Sequence, residues 1–288
     1  MLHSKDKITA FSKTRSLQFA DKILSLQKPA VMGILNITPD SFYDGGKHLE
    51  KVKYLAAAAE MLQEGAAILD LGAVSTRPGA REVSEEEELE RLIPALKNIL
   101  EEFPDAIVSV DTFRSEVARQ AAGNGAFMIN DISGGSLDTA MFSTIASLKI
   151  PYILMHMQGT PSTMQIRPHY ENVAEEVRSF FIRKLDELAE IGVRQLLLDP
   201  GFGFGKSVEH NYSLLHSLGS FRDLGFPILA GLSRKSMINR LLSISPAEAL
   251  HATGVLNTLA LIQGADILRV HDVKEAMQVV RLVGAYEN

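Results

Sequence analysis

Along this chain, apolar runs of a few residues alternate with longer segments in which apolar residues recur every three or four positions. The short runs read as strands buried on both faces and the longer ones as amphipathic helices, the pattern of repeated βα units around a parallel sheet. Strands are expected at Val31–Leu35, Ala67–Leu71, Ile107–Val110, Phe127–Ile129, Tyr152–Met155, Gln195–Leu198, Ile228–Ala230 and Ile267–Val270. Between them, "KVKYLAAAAEMLQEG", "SEEEELERLIPALKNILEEF", "SEVARQAAGNG", "ENVAEEVRSFFIRKLDELAEIG" and "AEALHATGVLNTLALIQG" have helical spacing, several closing on glycine. Eight such units in 288 residues predict an α/β fold, a (β/α)8 barrel over residues 29–288, with a doubly wound sheet as the alternative. Residues 1–28 are expected to form a short N-terminal extension, a cap or hairpin across the bottom of the barrel. The acidic run Glu85–Glu88 opens a helix, where carboxylates favour the positive end of the dipole.

Composition narrows the function classes. The chain is 46% hydrophobic and 22% charged, ordinary for a soluble globular protein. A net charge of −6 argues against non-specific nucleic-acid binding, so an anionic ligand has to be met by local cations. With no cysteine, disulfides, thiolate nucleophiles and Cys-ligated zinc are excluded. No apolar run approaches the roughly 18 residues of a membrane span, and the first residues lack the apolar core of a signal peptide. The chain reads as soluble and cytoplasmic.

In a barrel, the C-terminal ends of the strands converge on one mouth. Here those ends carry Asn36, Asp70, Asp111, Asn130 with Asp131, His156, Asp199, Ser233 with Arg234 and Lys235, and Arg269 with His271. One such residue alone would read as a helix cap or turn former; a polar group at every strand end reads as a site. Asp111, Asn130, Asp199 and Lys235 suit the edge of a flat heterocycle, because a carboxylate accepts two parallel N–H bonds from an amino-pyrimidinone. Arg269, His271 and Arg77 of "STRPGA" are cationic donors suited to phosphate oxygens. No spacing of His and carboxylates suits a protein-caged metal, whereas a substrate-borne Mg2+ held by one or two protein oxygens is compatible.

The glycine-rich stretch "LLLDPGFGFGKS" invites a nucleotide reading and fails it. A P-loop would put its first glycine where Pro200 stands, and a dinucleotide fingerprint would need glycine at Lys206. What remains is a strand ending in Asp199, a turn that tolerates close approach, and a helix start near Ser207.

Taken in order, "GILNITPDSFYDGG", "STRPGA", "SVDT", "INDISGG", "LMHMQGTP", "DPGFGFGK", "GLSRKS" and "RVHDV" resemble the dihydropteroate synthases of the folate pathway, a pterin-binding TIM-barrel family, from Met32 to Val273. The resemblance implies that 4-aminobenzoate displaces pyrophosphate from (7,8-dihydropterin-6-yl)methyl diphosphate. It implies a pterin pocket of Asp111, Asn130, Met157, Asp199, Lys235 and Arg269, and pyrophosphate contacts from Asn36, Thr76, Arg77, Arg269 and His271. Aminobenzoate would meet Thr38, Pro39, Phe42, Phe204, Lys235 and Ser236, and Mg2+ would lie near Asn36. Arg77, Lys235, Arg269 and His271 are the implied catalytic residues. A homodimer through Ala247–Ile262 and Lys274–Val283 is likewise implied. Val74 stands where relatives often carry glutamate. A pterin-dependent methyltransferase or a non-catalytic pterin-binding barrel is the alternative reading.

Overall fold

The computed structural model describes residues 16–37, 47–74, 81 and 83–287. Two short strands, β1 (Ser16–Phe19) and β2 (Lys22–Ser25), form an antiparallel hairpin with Leu17 opposite Leu24. Then follow β3 (Ala30–Asn36), β4 (Ile68–Gly72), β5 (Val108–Asp111), β6 (Met128–Asp131), β7 (Tyr152–Met155), β8 (Leu196–Asp199), β9 (Leu229–Ala230) and β10 (Ile267–Val270). These eight lie within two residues of the expected strands. They pair in parallel in the order β8-β7-β6-β5-β4-β3-β10-β9, and a parallel bridge between Leu198 and Ile228 joins the two ends of that order. The sheet therefore closes on itself as a (β/α)8 barrel.

Helices α1 (Lys47–Glu64), α2 (Glu85–Glu102), α3 (Ser115–Gly123), α4 (Met141–Leu148), α5 (Val173–Glu190), α6 (Val208–His216), α7 (Ser236–Leu242), α8 (Leu250–Ile262) and α9 (Val273–Glu287) ring the sheet. Local chemistry fixes several starts. Ser84 accepts the Glu87 N–H at the head of α2, Asn172 accepts that of Glu175 at α5, and Ser207 with His210 forms a reciprocal cap on α6. The "AEALHATGVLNTLALIQG" segment divides into a 3-10 turn at Pro246–Glu248 and α8, because Pro246 begins a separate capped turn. The acidic run is also more than a dipole device: Glu88 turns inward, is buried, and pairs with Arg114.

The two-residue side-chain period of the strands sorts the interior into layers. Outward residues such as Leu69, Leu71, Val108, Val110, Leu196 and Leu198 pack against the helices. Inward residues near the bottom (Met32, Ile68, Met128, Ile153, Leu197, Leu229 and Ile267) form a second apolar cluster with Leu17, Leu24 and Leu26 of the hairpin segment. One inward step further up, the same strands present Asp70, Asn130, Met155, Asp199, Gly231 and Arg269. Apolar filling below thus carries a polar layer above it. The hairpin is fastened to the bottom by polar contacts as well. Lys22 donates to the carbonyls of Pro104 and Ala106 at 2.6 and 2.7 Å, and Gln195 exchanges hydrogen bonds with the Gln18 backbone at 2.6 and 2.7 Å.

Leu17 is fully buried in this plug. Leu17→Ala should lower the unfolding free energy in urea by about 2–5 kcal/mol, the cost of a core leucine and its cavity. A loss under about 1 kcal/mol would show that the hairpin merely lies on the barrel.

Candidate active site

The centre of the mouth is an ion-pair network reaching across the barrel. Arg269, inward on β10, donates from Nε to Asp70 Oδ2 at 2.6 Å and from a terminal nitrogen to Asp111 Oδ2 at 2.8 Å. Asp70 Oδ2 also accepts from Asn130 Nδ2 at 3.0 Å. With its nitrogen so engaged, the Asn130 side chain leaves Oδ1 as a buried acceptor with no protein partner among the described residues. Burial works against the Arg269 charge, but Asp70 and Asp111 more than offset it and hold the guanidinium protonated. Burial pushes the Asp111 carboxyl up to about 7; Arg269 opposes that shift, while Asp70, Glu88 and Asp131 add to it.

Around this floor stand the other residues expected at a site. Asp199, at the end of β8, is buried and accepts the Gly201 N–H at 2.8 Å, and burial raises its pKa against the pull of Lys235, Arg269 and Lys206. Asn130, Asp199, Lys235 and Arg269 line one concavity, walled by Ile132, Met155, Phe202 and Phe204. Lys235 immediately precedes α7 and holds its ammonium 4.3 Å from the centre of the Phe204 ring. Burial, reinforced by Arg269, brings its pKa down to about 8. Met157 is half-buried in the turn after β7, and Ser236 is exposed at the first position of α7.

Asn36 ends β3 beside Gly72, and a Cβ on Gly72 would lie 3.3 Å from Asn36 Oδ1 and 3.6 Å from Asp111 Cβ. The missing side chain leaves a cradle beside the Asn36 amide oxygen, with Asp111 Oδ2 4.0 Å from the same point. Among the described residues, no group of three or more His, Asp or Glu side chains is placed to hold a metal. One or two hard oxygens of this kind fit a divalent cation that arrives on phosphates and keeps most of its other ligands.

His271 stands at the rim with Nδ1 3.0 Å from Ser233 Oγ, which also accepts the His271 backbone N–H at 3.2 Å. Desolvation and the nearby Arg269, Arg234 and Lys235 charges bring its imidazole down to about 4. With no anion beside it, this favours the neutral imidazole, whereas the expected cation is the form that a phosphate at the rim would favour. Thr38, Pro39, Phe42, Thr76 and Arg77 lie outside the described residues.

Three polar strand-end residues belong to the scaffold. Arg234 forks onto Asp272 at 2.9 and 2.7 Å and donates to the carbonyls of Pro246 and Ala247. Asp131 accepts from Tyr152, Ser133 and Gly135, and His156 contacts Lys206. The glycines of "DPGFGFGK" have their own reason. Gly201 and Gly205 take φ of +71° and +61°, and a Cβ on either would strike the carbonyl oxygen of His156 or Gln158. They let two loops pack backbone to backbone at the mouth.

Sequence reasoning gave no role to Asp70, Lys206, Gln165, Tyr170 or Asn211. Gln165 donates to the Gly203 carbonyl, Tyr170 to that of Gly205, and Asn211 accepts the Gly203 N–H, so all three brace the same loop. Asp70 was legible only as one polar strand end in the set, and Lys206 only as a charge beside three glycines; the other three offered no signal.

Comparison with known proteins agrees with this geometry. The family model described as "Pterin binding enzyme" matches residues 32–271. The dihydropteroate synthase of Escherichia coli (strain K12) is 48% identical over 264 residues, covering 91% of this chain and 93% of that protein. The solved Yersinia pestis dihydropteroate synthase, in a sulfonamide drug complex, superposes with a TM-score of 0.89 at 42% identity, covering 94% of this chain and 99% of that one. A Xanthomonas albilineans dihydropteroate synthase solved with 4-aminobenzoic acid gives 0.88 at 40% identity, covering 95% and 98%. A barrel whose inward-facing acids, amide and cations meet at one mouth, together with near whole-chain identity at this level, means that the chain belongs to the dihydropteroate synthase family of pterin-binding enzymes.

Proposed function

We propose that this chain joins (7,8-dihydropterin-6-yl)methyl diphosphate to 4-aminobenzoate, giving 7,8-dihydropteroate and pyrophosphate in folate synthesis. The observation that carries this reading is the convergence of Asn130, Asp199, Lys235 and Arg269 on one concavity at the mouth, with Asp111 bonded to Arg269 beside it. Acids and an outward amide oxygen there answer the N–H edge of a pterin, with Arg269 and Met157 against its ring. Phe204, Lys235 and Ser236 form the aminobenzoate side, to which the family resemblance also assigns Thr38, Pro39 and Phe42. Asn36, Thr76, Arg77, Arg269 and His271 receive the diphosphate, and Asn36 is the residue that would hold Mg2+. When bound, the ion would neutralise charge on the departing phosphates.

The aryl amine is unprotonated at neutral pH, so the nucleophile needs placement more than a strong base. Its nitrogen forms a bond to the pterin methylene carbon as the bond from that carbon to the diphosphate oxygen breaks. The electron pair leaves with pyrophosphate, and the proton of the new ammonium goes to solvent or to the leaving group. Asp111 and Asp199 stabilise positive charge delocalised from the methylene into the ring, while Arg77 and Arg269 stabilise the leaving anion. A neutral His271 that gains a proton beside pyrophosphate adds to that stabilisation as charge develops.

The last helices are the second part of the proposal. Val255, Leu259 and Ile262 form an exposed stripe on α8, with Leu241 and Leu242 exposed on α7 and Leu282 on α9. An apolar face of this kind on packed helices suits a two-fold homodimer. The chain has no described helix long and apolar enough to cross a membrane, and a cytoplasmic location is part of the same reading.

Mixing the purified protein with both substrates and Mg2+ should release dihydropteroate and pyrophosphate in equal amounts; pterin binding without product would contradict the reading. Asp199→Asn removes the charge and one acceptor, so calorimetric affinity for a pterin should fall at least about tenfold, or ~1.4 kcal/mol. Unchanged affinity would remove Asp199 from the pocket. Light scattering should give twice the 31.5 kDa chain mass, and Val255→Glu with Leu259→Glu should give the monomer. A monomeric wild type would overturn the dimer.

A further inference from the structure

Lys206 closes the "DPGFGFGK" motif and is not among the residues lining the concavity. Only 3% of it is exposed. Its ammonium donates to the Gly201 carbonyl at 2.9 Å and the Phe204 carbonyl at 3.0 Å, and lies 3.0 Å from His156 Nδ1. The His156 carbonyl is a fourth oxygen, at 3.4 Å. Burial, with help from Lys206 itself, brings the His156 imidazole down to about 2, so the ring is neutral and Nδ1 offers a lone pair. Three N–H groups therefore meet three good acceptors, drawn from two separate loops. The positive-φ glycines turn these loop carbonyls inward, where an apolar side chain would leave them unsatisfied.

What these loops carry gives the contact its meaning. The turn after β7 bears Met157, and the loop after β8 bears Phe204. Phe204 is held from both ends: its carbonyl on Lys206, its ring under the Lys235 ammonium. We propose that Lys206 is a positioning residue, an internal cation that ties the 156–158 turn to the 200–206 loop and fixes the wall that Phe204 offers to aminobenzoate. This rests on the assignment of that wall to the aminobenzoate subsite. Asp199 and Lys235 are the other charged groups that act on the ammonium; burial lowers its pKa to about 7, Asp199 opposes the shift and Lys235 adds to it. Asp111, Asn130 and Asp199 of the pterin floor sit on the strands themselves, and of the assigned pterin contacts only Met157 rides on the tied turn, so the tie bears mainly on the aminobenzoate wall.

The test uses the full-length chain with Lys206→Met, which keeps the stem and removes the donors. Amide hydrogen exchange at residues 201–206 should speed up about tenfold or more. The KM for 4-aminobenzoate should rise about tenfold or more while the Kd for a pterin moves by less than about threefold. Unchanged exchange and KM would overturn the proposal, as would equal losses for both ligands. Gln165→Met frees only the Gly203 carbonyl of the same loop and should give the same split at smaller size, which decides the matter if Lys206→Met does not fold. A wild type that makes no dihydropteroate would count against the proposed function alone, since the exchange readout judges the tie between the loops without any turnover.

Discussion

Charges inside a barrel are costly unless paired or fully hydrogen-bonded, and the Asp70–Arg269–Asp111 network is where this chain meets that constraint by pairing. Arg269 comes from the last strand, Asp70 and Asp111 from the second and third strands of the barrel, so the network forms only when the ring has closed across β3. Removing Arg269 would leave both carboxylates without their cation, which costs far more than the pairs contribute. Closure of the barrel and preorganisation of the site are thus the same event. Asn130 is drawn in by Asp70, and its amide orientation follows from that single bond.

Two kinds of element build the mouth above this floor. Strands supply rigid side chains whose positions follow from β register, such as Asp111 opposite Asn130 and Met155 opposite Asp199. Loops supply the wall, and they need a scaffold of their own because a glycine-rich turn has little intrinsic preference for one conformation. Here that scaffold is Lys206, Gln165, Tyr170 and Asn211, which together satisfy the inward carbonyls and one N–H of the 200–206 loop. The apolar plug of Leu17 and Leu24 at the far end lets the polar layer sit high in the barrel, because it fills the interior that charged residues could not.

Strands were legible because both faces are buried and the runs are short and mostly apolar, as at Tyr152–Met155, which is unbroken, and Ile267–Val270, which only Arg269 interrupts; both coincide with the observed strands. The short helices α4 and α7 are too brief to display helical periodicity and carried no quoted pattern. The polar strand ends were legible as a set, but their division into site and scaffold was not. Arg234 and Arg269 look alike in sequence; one forks onto Asp272 outside the concavity and the other spans its floor. Glu88 was hidden within a run of four glutamates, since only the helix phase decides which of them turns inward to Arg114. The lowered pKa of His271 was not legible, because it comes first from burial, which only the fold sets, and then from Arg269, Arg234 and Lys235.

The claim beneath all of this is spatial, that the polar layer fixed by Arg269 is the place where the heterocycle binds. A co-crystal structure with a pterin tests it most directly. The account predicts the ring in the concavity, its N–H edge within hydrogen-bond distance of Asp111, Asp199 and Asn130 Oδ1, with Lys235 and Phe204 alongside. A pterin bound at any other surface while those side chains keep only their protein partners would contradict it.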